Sequence, residues 1–126
     1  MSIFSNIFGS SESEKTNETT NWLPLTYVGQ LDEIIAFSEK NPVVIFKHST
    51  RCSISRFALK QFEKQFDFGV DTYFLDLLEH RDISNEIASR FNVLHQSPQV
   101  LLIKGGKCVY DASHDAIDAG ELKTKL

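Results

Sequence analysis

The 126-residue chain has only two cysteines, three prolines and six glycines, and it has no long apolar run. Two cysteines, Cys52 and Cys108, set far apart, do not make the disulfide scaffold of a small secreted domain. Without such a scaffold, and with no stretch long enough to span a bilayer, the expected location is the cytoplasm. Basic residues are also in the minority: 13 Lys and Arg against 17 Asp and Glu give a net charge of -4. No electrostatic footprint for nucleic acid follows from that balance. There is no G-x-x-x-x-G-K-[ST], no G-x-G-x-x-G and no G-x-S-x-G, the signals of phosphate, dinucleotide and serine-hydrolase sites. His48, His80, His95 and His114 fall into no ligand spacing with the cysteines, so no metal site is expected.

At the N-terminus, Met1 to Phe8 carries Ile3, Phe4, Ile7 and Phe8. It has no basic n-region and is too short for a signal-peptide core. Residue 2 is Ser, which does not suggest myristoylation. Ser10 to Asn21 is polar and rich in Ser, Thr and Glu. Residues 1–21 are therefore expected to be a flexible tail, and 22–126 one folded domain.

A strand is expected within Trp22–Val28. Leu31, Ile34, Ile35 and Ser38 have helical spacing, so 31–40 reads as a helix that Asn41-Pro42 stops. Val43 to Phe46 is an unbroken apolar run with three β-branched residues, the pattern of a strand buried on both faces. Ser55, Leu59, Phe62 and Phe66 mark a second helix, with Gly69 expected to end it. Val70–Leu75 is a strand, and Ile83, Ile87 and Phe91 mark a third helix over about 82–91. Pro98 opens a strand, Gln99–Ile103, which Gly105-Gly106 turns back through Lys107–Tyr110. Ser113 is the expected N-cap of a short last helix with Asp115 in its first turn. The order is β-α-β-α-β-α-β-β-α, an α/β fold with a central sheet flanked by helices. The alternation implies parallel βαβ units, with an antiparallel pair added by the closing hairpin.

One stretch concentrates the chemistry. Val43 to Ser55 runs from a buried strand through a short polar turn into a helix, and the turn delivers Cys52 to the helix start. Active sites of open α/β sheets collect at that edge. The positive end of a helix dipole favours a thiolate, the nucleophile of disulfide exchange. Lys47, His48, Arg51 and Arg56 are close in sequence and are expected to add positive potential. Ser55 stands where a C-x-x-C pair has its second thiol. A hydroxyl cannot resolve a mixed disulfide, so release must use an external thiol; Ser55 is also suited to lining the helix start. The Ser97–Pro98 bond is a candidate cis peptide, and it would present the backbone of Ser97 to an incoming chain. Cys108 is expected to pack in the core rather than to take part in redox chemistry.

Three segments carry a resemblance to a known family: His48-Ser49-Thr50-Arg51-Cys52-Ser53-Ile54-Ser55, His95-Gln96-Ser97-Pro98-Gln99-Val100-Leu101-Leu102-Ile103, and Ala112-Ser113-His114. With the order of elements they resemble the thioredoxin fold and, more narrowly, the YtxJ family of monothiol bacilliredoxins, over roughly 22–117. The resemblance implies removal of bacillithiol from mixed disulfides on protein cysteines. Cys52 would be the nucleophile, and Arg51, Ser53, Ser55, Ser97 and Pro98 would bind substrate. The implied partners are S-thiolated cytosolic proteins and a low-molecular-weight thiol that serves as co-substrate, with the protein acting as a monomer. Ser53 stands where family members usually have Pro, which adds an N–H beside the thiol, and Asp115 stands where an aromatic is expected. Two other functions fit the same pattern: a thioredoxin-fold binding module whose cysteine is inert, and a glutaredoxin-like carrier holding an iron–sulfur cluster through Cys52.

Overall fold

The computed structural model describes residues 22–66 and 69–126; the 1–21 segment expected to be a tail lies outside them. Among the described residues there are five strands: β1 (Trp22–Pro24), β2 (Val43–His48), β3 (Asp71–Asp76), β4 (Gln99–Lys104) and β5 (Lys107–Ser113). Four α-helices accompany them: α1 (Gly29–Ser38), α2 (Ser53–Gln65), α3 (Arg81–Arg90) and α4 (Ala119–Lys123). The strands form one sheet in the order β1-β3-β2-β4-β5. β2 lies in its centre, and all six of its residues are buried. That position explains why an unbroken apolar run, rather than an alternating one, codes this strand.

Alternate residues of β2 and β4 feed two cores. Val43, Ile45, Leu101 and Ile103 pack with Leu31 and Ile34 of α1 and with Ile83 and Ile87 of α3. Val44, Phe46, Val100 and Leu102 face the other way, onto Phe62 and Phe66 beside α2 and Ala119 and Leu122 of α4. Trp22, Phe46, Phe62 and Phe66 form an aromatic cluster on this second face, with ring centroids 5.1 to 6.2 Å apart. The Trp22 indole N–H donates to Glu63 of α2 at 2.7 Å, which ties the edge strand to that helix. No described helix is long and apolar enough to cross a membrane.

The structure departs from the expectations in three places. β1, β3 and β2 are parallel, but β4 pairs antiparallel with β2, so the crossover through α3 is not a parallel βαβ unit. The helix expected to stop at Gly69 stops at Gln65, because Phe66 is extended (φ -89°, ψ 113°) and inserts into the core. Ser113 caps nothing: His114–Ala116 is a single 3₁₀ turn without a side-chain cap. The cap of α4 is Asp118, whose carboxylate accepts from the N–H groups of Gly120 (2.8 Å) and Glu121 (3.4 Å). The hairpin turn is as expected. Gly105 and Gly106 both have positive φ (60° and 77°), as a two-residue primed turn requires. Their N–H groups are bound by the carbonyl and hydroxyl of Ser38, each at 2.8 Å.

Asp118→Ala should therefore destabilise the protein by about 1 kcal/mol in urea unfolding. Ser113→Ala should stay within about 0.5 kcal/mol of the parent.

Candidate active site

The site grows out of the C-terminal end of β2. Beyond His48 the chain leaves the sheet, turns through Ser49–Arg51 and enters α2 with Cys52 as the N-cap residue. Cys52 is thus half outside the helix, with extended backbone (φ -102°, ψ 123°), rather than within its first turn. Its N–H donates to the Ser49 carbonyl at 3.1 Å, and its carbonyl accepts from Arg56 N–H at 3.0 Å. The Arg56 guanidinium reaches back to the Thr50 carbonyl at 3.2 Å. Cys52 is a free thiol and partly exposed. A thiolate formed there meets the positive end of the α2 dipole.

The turn is held from beneath by Ser55. This residue is 0% exposed. Its hydroxyl accepts from Ser49 N–H at 3.1 Å and lies 2.7 Å from His48 Nδ1. One hydroxyl thus joins the backbone of the turn to the Nδ1 side of the imidazole. Burial lowers the proton affinity of His48, and Arg56 lowers it further against an opposing pull from Asp76. His48 is therefore neutral at pH 7 and is not a source of positive potential for the thiol. Ser55 does not reach a substrate either; its contacts are spent on the turn.

Lys47 is a second correction. Neighbouring strand residues point to opposite faces, so Lys47 faces α3 while His48 faces α2. Its side chain is 0% exposed, and its ammonium donates to His95 Nδ1 at 2.8 Å; the Ser84 hydroxyl is 3.2 Å from the same nitrogen. Desolvation lowers the Lys47 pKa to about 8, so it is still protonated at pH 7. His95 is pushed down by burial and by the charges of Lys47 and Arg81. This pair ties the segment ahead of Pro98 to the strand that carries the thiol.

The Ser97–Pro98 peptide is cis. Pro98 is buried, and its carbonyl accepts from His114 N–H at 3.0 Å, so the end of β5 braces the loop. The Ser97 hydroxyl oxygen is buried with no hydrogen-bond partner among the described residues. Arg51 and Ser53 are exposed on either side of Cys52. The register aligns Gln99 with Lys47 at the active end of the sheet. This brings the Pro98 loop to the edge from which the Cys52 turn leaves, as its place in the sequence suggested.

Cys108 lies elsewhere. It pairs with Ile103, which faces Val43 at the far end of β2. The length of β2 alone puts it about 16 Å from the end at which the Cys52 turn leaves the sheet. Its thiol donates to the Tyr110 carbonyl at 3.3 Å, and burial pushes its pKa up to about 11. Among the described residues no group of three or more His, Cys, Asp or Glu side chains could hold a metal ion. Asp76 and Glu79, not singled out in the sequence, stand at the end of β3 against the Cys52 turn; Leu77 N–H donates to the His48 carbonyl at 3.0 Å.

Comparison with known proteins agrees with this geometry. The family model for the monothiol bacilliredoxin BrxC matches residues 23–122. A solved structure described as an oxidoreductase with a thioredoxin fold is 33% identical, with a TM-score of 0.72 over 81% of this chain and 90% of that one. The thioredoxin of Malassezia sympodialis is 19% identical, with a TM-score of 0.65 over 84% and 88% of the two chains. The reduced thioredoxin of Schistosoma mansoni is 18% identical, with a TM-score of 0.62 over 84% and 95%. The last two establish the thioredoxin fold alone.

His48 and His95 both bind a proton less readily folded than unfolded. Their contribution to stability is thus fully present above the ordinary histidine value of about 6.5 and is lost as pH falls through the depressed values. The urea midpoint should drop between pH 7.5 and pH 5.5, and His95→Asn should show a smaller drop. An equal drop in the variant would mean that His95 plays no part.

Proposed function

The chain belongs to the monothiol bacilliredoxin family, a group of thioredoxin-fold thiol oxidoreductases, and from that premise we propose that it strips bacillithiol from mixed disulfides on protein cysteines. The observation that carries this reading is the isolation of Cys52. It is a partly exposed thiol at a helix start, and the residue three positions on is a buried, hydrogen-bonded serine.

In the proposed cycle the Cys52 thiolate attacks the bacillithiol sulfur of the mixed disulfide. The Cys52–bacillithiol bond forms as the old S–S bond breaks, and the protein cysteine leaves as a thiolate. A second bacillithiol then attacks the adduct, frees Cys52 and departs as the disulfide of two small thiols. The protein cysteine is reduced, the one incoming free thiol is oxidised, the first bacillithiol stays at the disulfide level throughout, and the enzyme is unchanged. Arg51 and Ser53 flank the reacting sulfurs, while the segment of Ser97 and the cis Pro98 offers backbone groups to the incoming chain. Ser55 acts only through the turn it supports. The cycle needs no metal or organic cofactor, and a single chain suffices for it. The second half-reaction consumes a free thiol, so the proposed location is the cytoplasm, where thiols are kept reduced.

Purified wild-type protein should release the small thiol from a bacillithiolated or glutathionylated substrate in the presence of free thiol. Cys52→Ser should abolish release, and Cys108→Ser should retain it. Loss of turnover in Cys108→Ser alone would reveal an internal resolving step and overturn the single-thiol cycle.

A further inference from the structure

Two cavities of opposite character flank the Cys52 turn. On the α2 side, an apolar groove of about 370 Å³ runs past Ile54, Phe57, Phe62 and Ile117. Ile54 and Phe57 are 64% and 67% exposed along it. On the β3 side, a pocket of about 340 Å³ is lined by Thr50, Arg51, Asp76, Leu78 and Glu79. This second pocket is ionic and carries both signs of charge. Among the described residues Arg51 forms no ion pair, with either of these acids or any other. Asp76 uses one oxygen to accept from Leu78 N–H at 3.2 Å, and Glu79 has no side-chain partner. One cation and two anions therefore line the same pocket unpaired, next to the nucleophile.

Exchange at sulfur supplies the reason. The attacking, central and leaving sulfurs lie nearly in line, so the two substituents of a mixed disulfide extend in different directions from the reacting atoms. The substituent on the attacked sulfur stays beside Cys52. We infer that the pocket of Thr50, Arg51, Asp76, Leu78 and Glu79 is the subsite for the small thiol, and that it selects an amino-acid-like thiol bearing both an ammonium and a carboxylate. Arg51 receives the carboxylate, and Asp76 with Glu79 receives the ammonium. The protein half of the disulfide then extends over the apolar side. This inference rests on the reading of Cys52 as the nucleophile that takes up the small thiol.

The test uses the full chain and a reporter protein with one cysteine, blocked in turn by cysteine, cysteamine, 3-mercaptopropionate or 2-mercaptoethanol. The single-turnover rate of transfer to Cys52 is measured for each, and each variant is compared with wild type so that intrinsic thiol reactivity cancels. Arg51→Gln should reduce the preference for 3-mercaptopropionate over 2-mercaptoethanol by about fivefold, the size of a partly exposed ion pair. Glu79→Gln should reduce the preference for cysteamine over 2-mercaptoethanol by a similar factor, and cysteine should lose in both variants. Relative rates unchanged from wild type in both variants would overturn the subsite and leave the nucleophile standing. A wild-type chain that accepts none of the four adducts would overturn the nucleophile and the subsite together.

Discussion

Everything at the active edge depends on one buried hydroxyl. Ser55 ties Ser49 N–H to the His48 imidazole, so the chain leaving β2 is fixed to the helix it is about to enter. The hydrogen bond closes a loop of only seven positions, and Cys52 lies inside that loop. If the hydroxyl were removed, a half-buried N–H and a buried imidazole nitrogen would lose their partner together, and an orphaned buried group costs about 1–3 kcal/mol. The same residue decides the chemistry by what it is not. A thiol in its place could form an internal disulfide with Cys52; a hydroxyl cannot.

The Lys47–His95 pair plays the matching part on the other face of the sheet. It joins the β2 strand to the segment leading into Pro98, while His114 N–H holds the Pro98 carbonyl from the β5 side. The thiol turn and the facing loop are thus each fastened to the central strand by a polar contact that includes a histidine of depressed proton affinity. A charged lysine kept out of water without a carboxylate is an expensive way to make such a contact. It is a plausible design only where the position of the loop matters more than stability, which is the usual relation between a site and its scaffold.

Much of this was legible in the sequence because it is local. The run Val43–Phe46 declares a central strand, the turn after it places Cys52 at a helix start, and Gly105-Gly106 declares a hairpin. What was not legible depends on direction and distance. Lys47 and His48 are adjacent to the turn in sequence, yet strand alternation sends them to opposite faces, where Lys47 turns its ammonium to His95 and His48 is held neutral against Ser55. The antiparallel entry of β4 leaves no mark in a pattern of alternating strands and helices, since a helix can return the chain in either direction. Ser113 and Asp118 are both competent caps, and only the extent of β5 decides that the second is used. Asp76 and Glu79 are ordinary acidic residues until β3 sets them beside Arg51.

The proposed cycle turns on where the small thiol resides between its two half-reactions. Intact-mass and peptide mass spectrometry, after one equivalent of bacillithiolated substrate has been mixed with reduced enzyme and quenched with acid, reads this directly. The account predicts a single adduct of the mass of bacillithiol on Cys52, with the substrate protein released as a free thiol. A stable disulfide between the two proteins, or an adduct on Cys108, would contradict it.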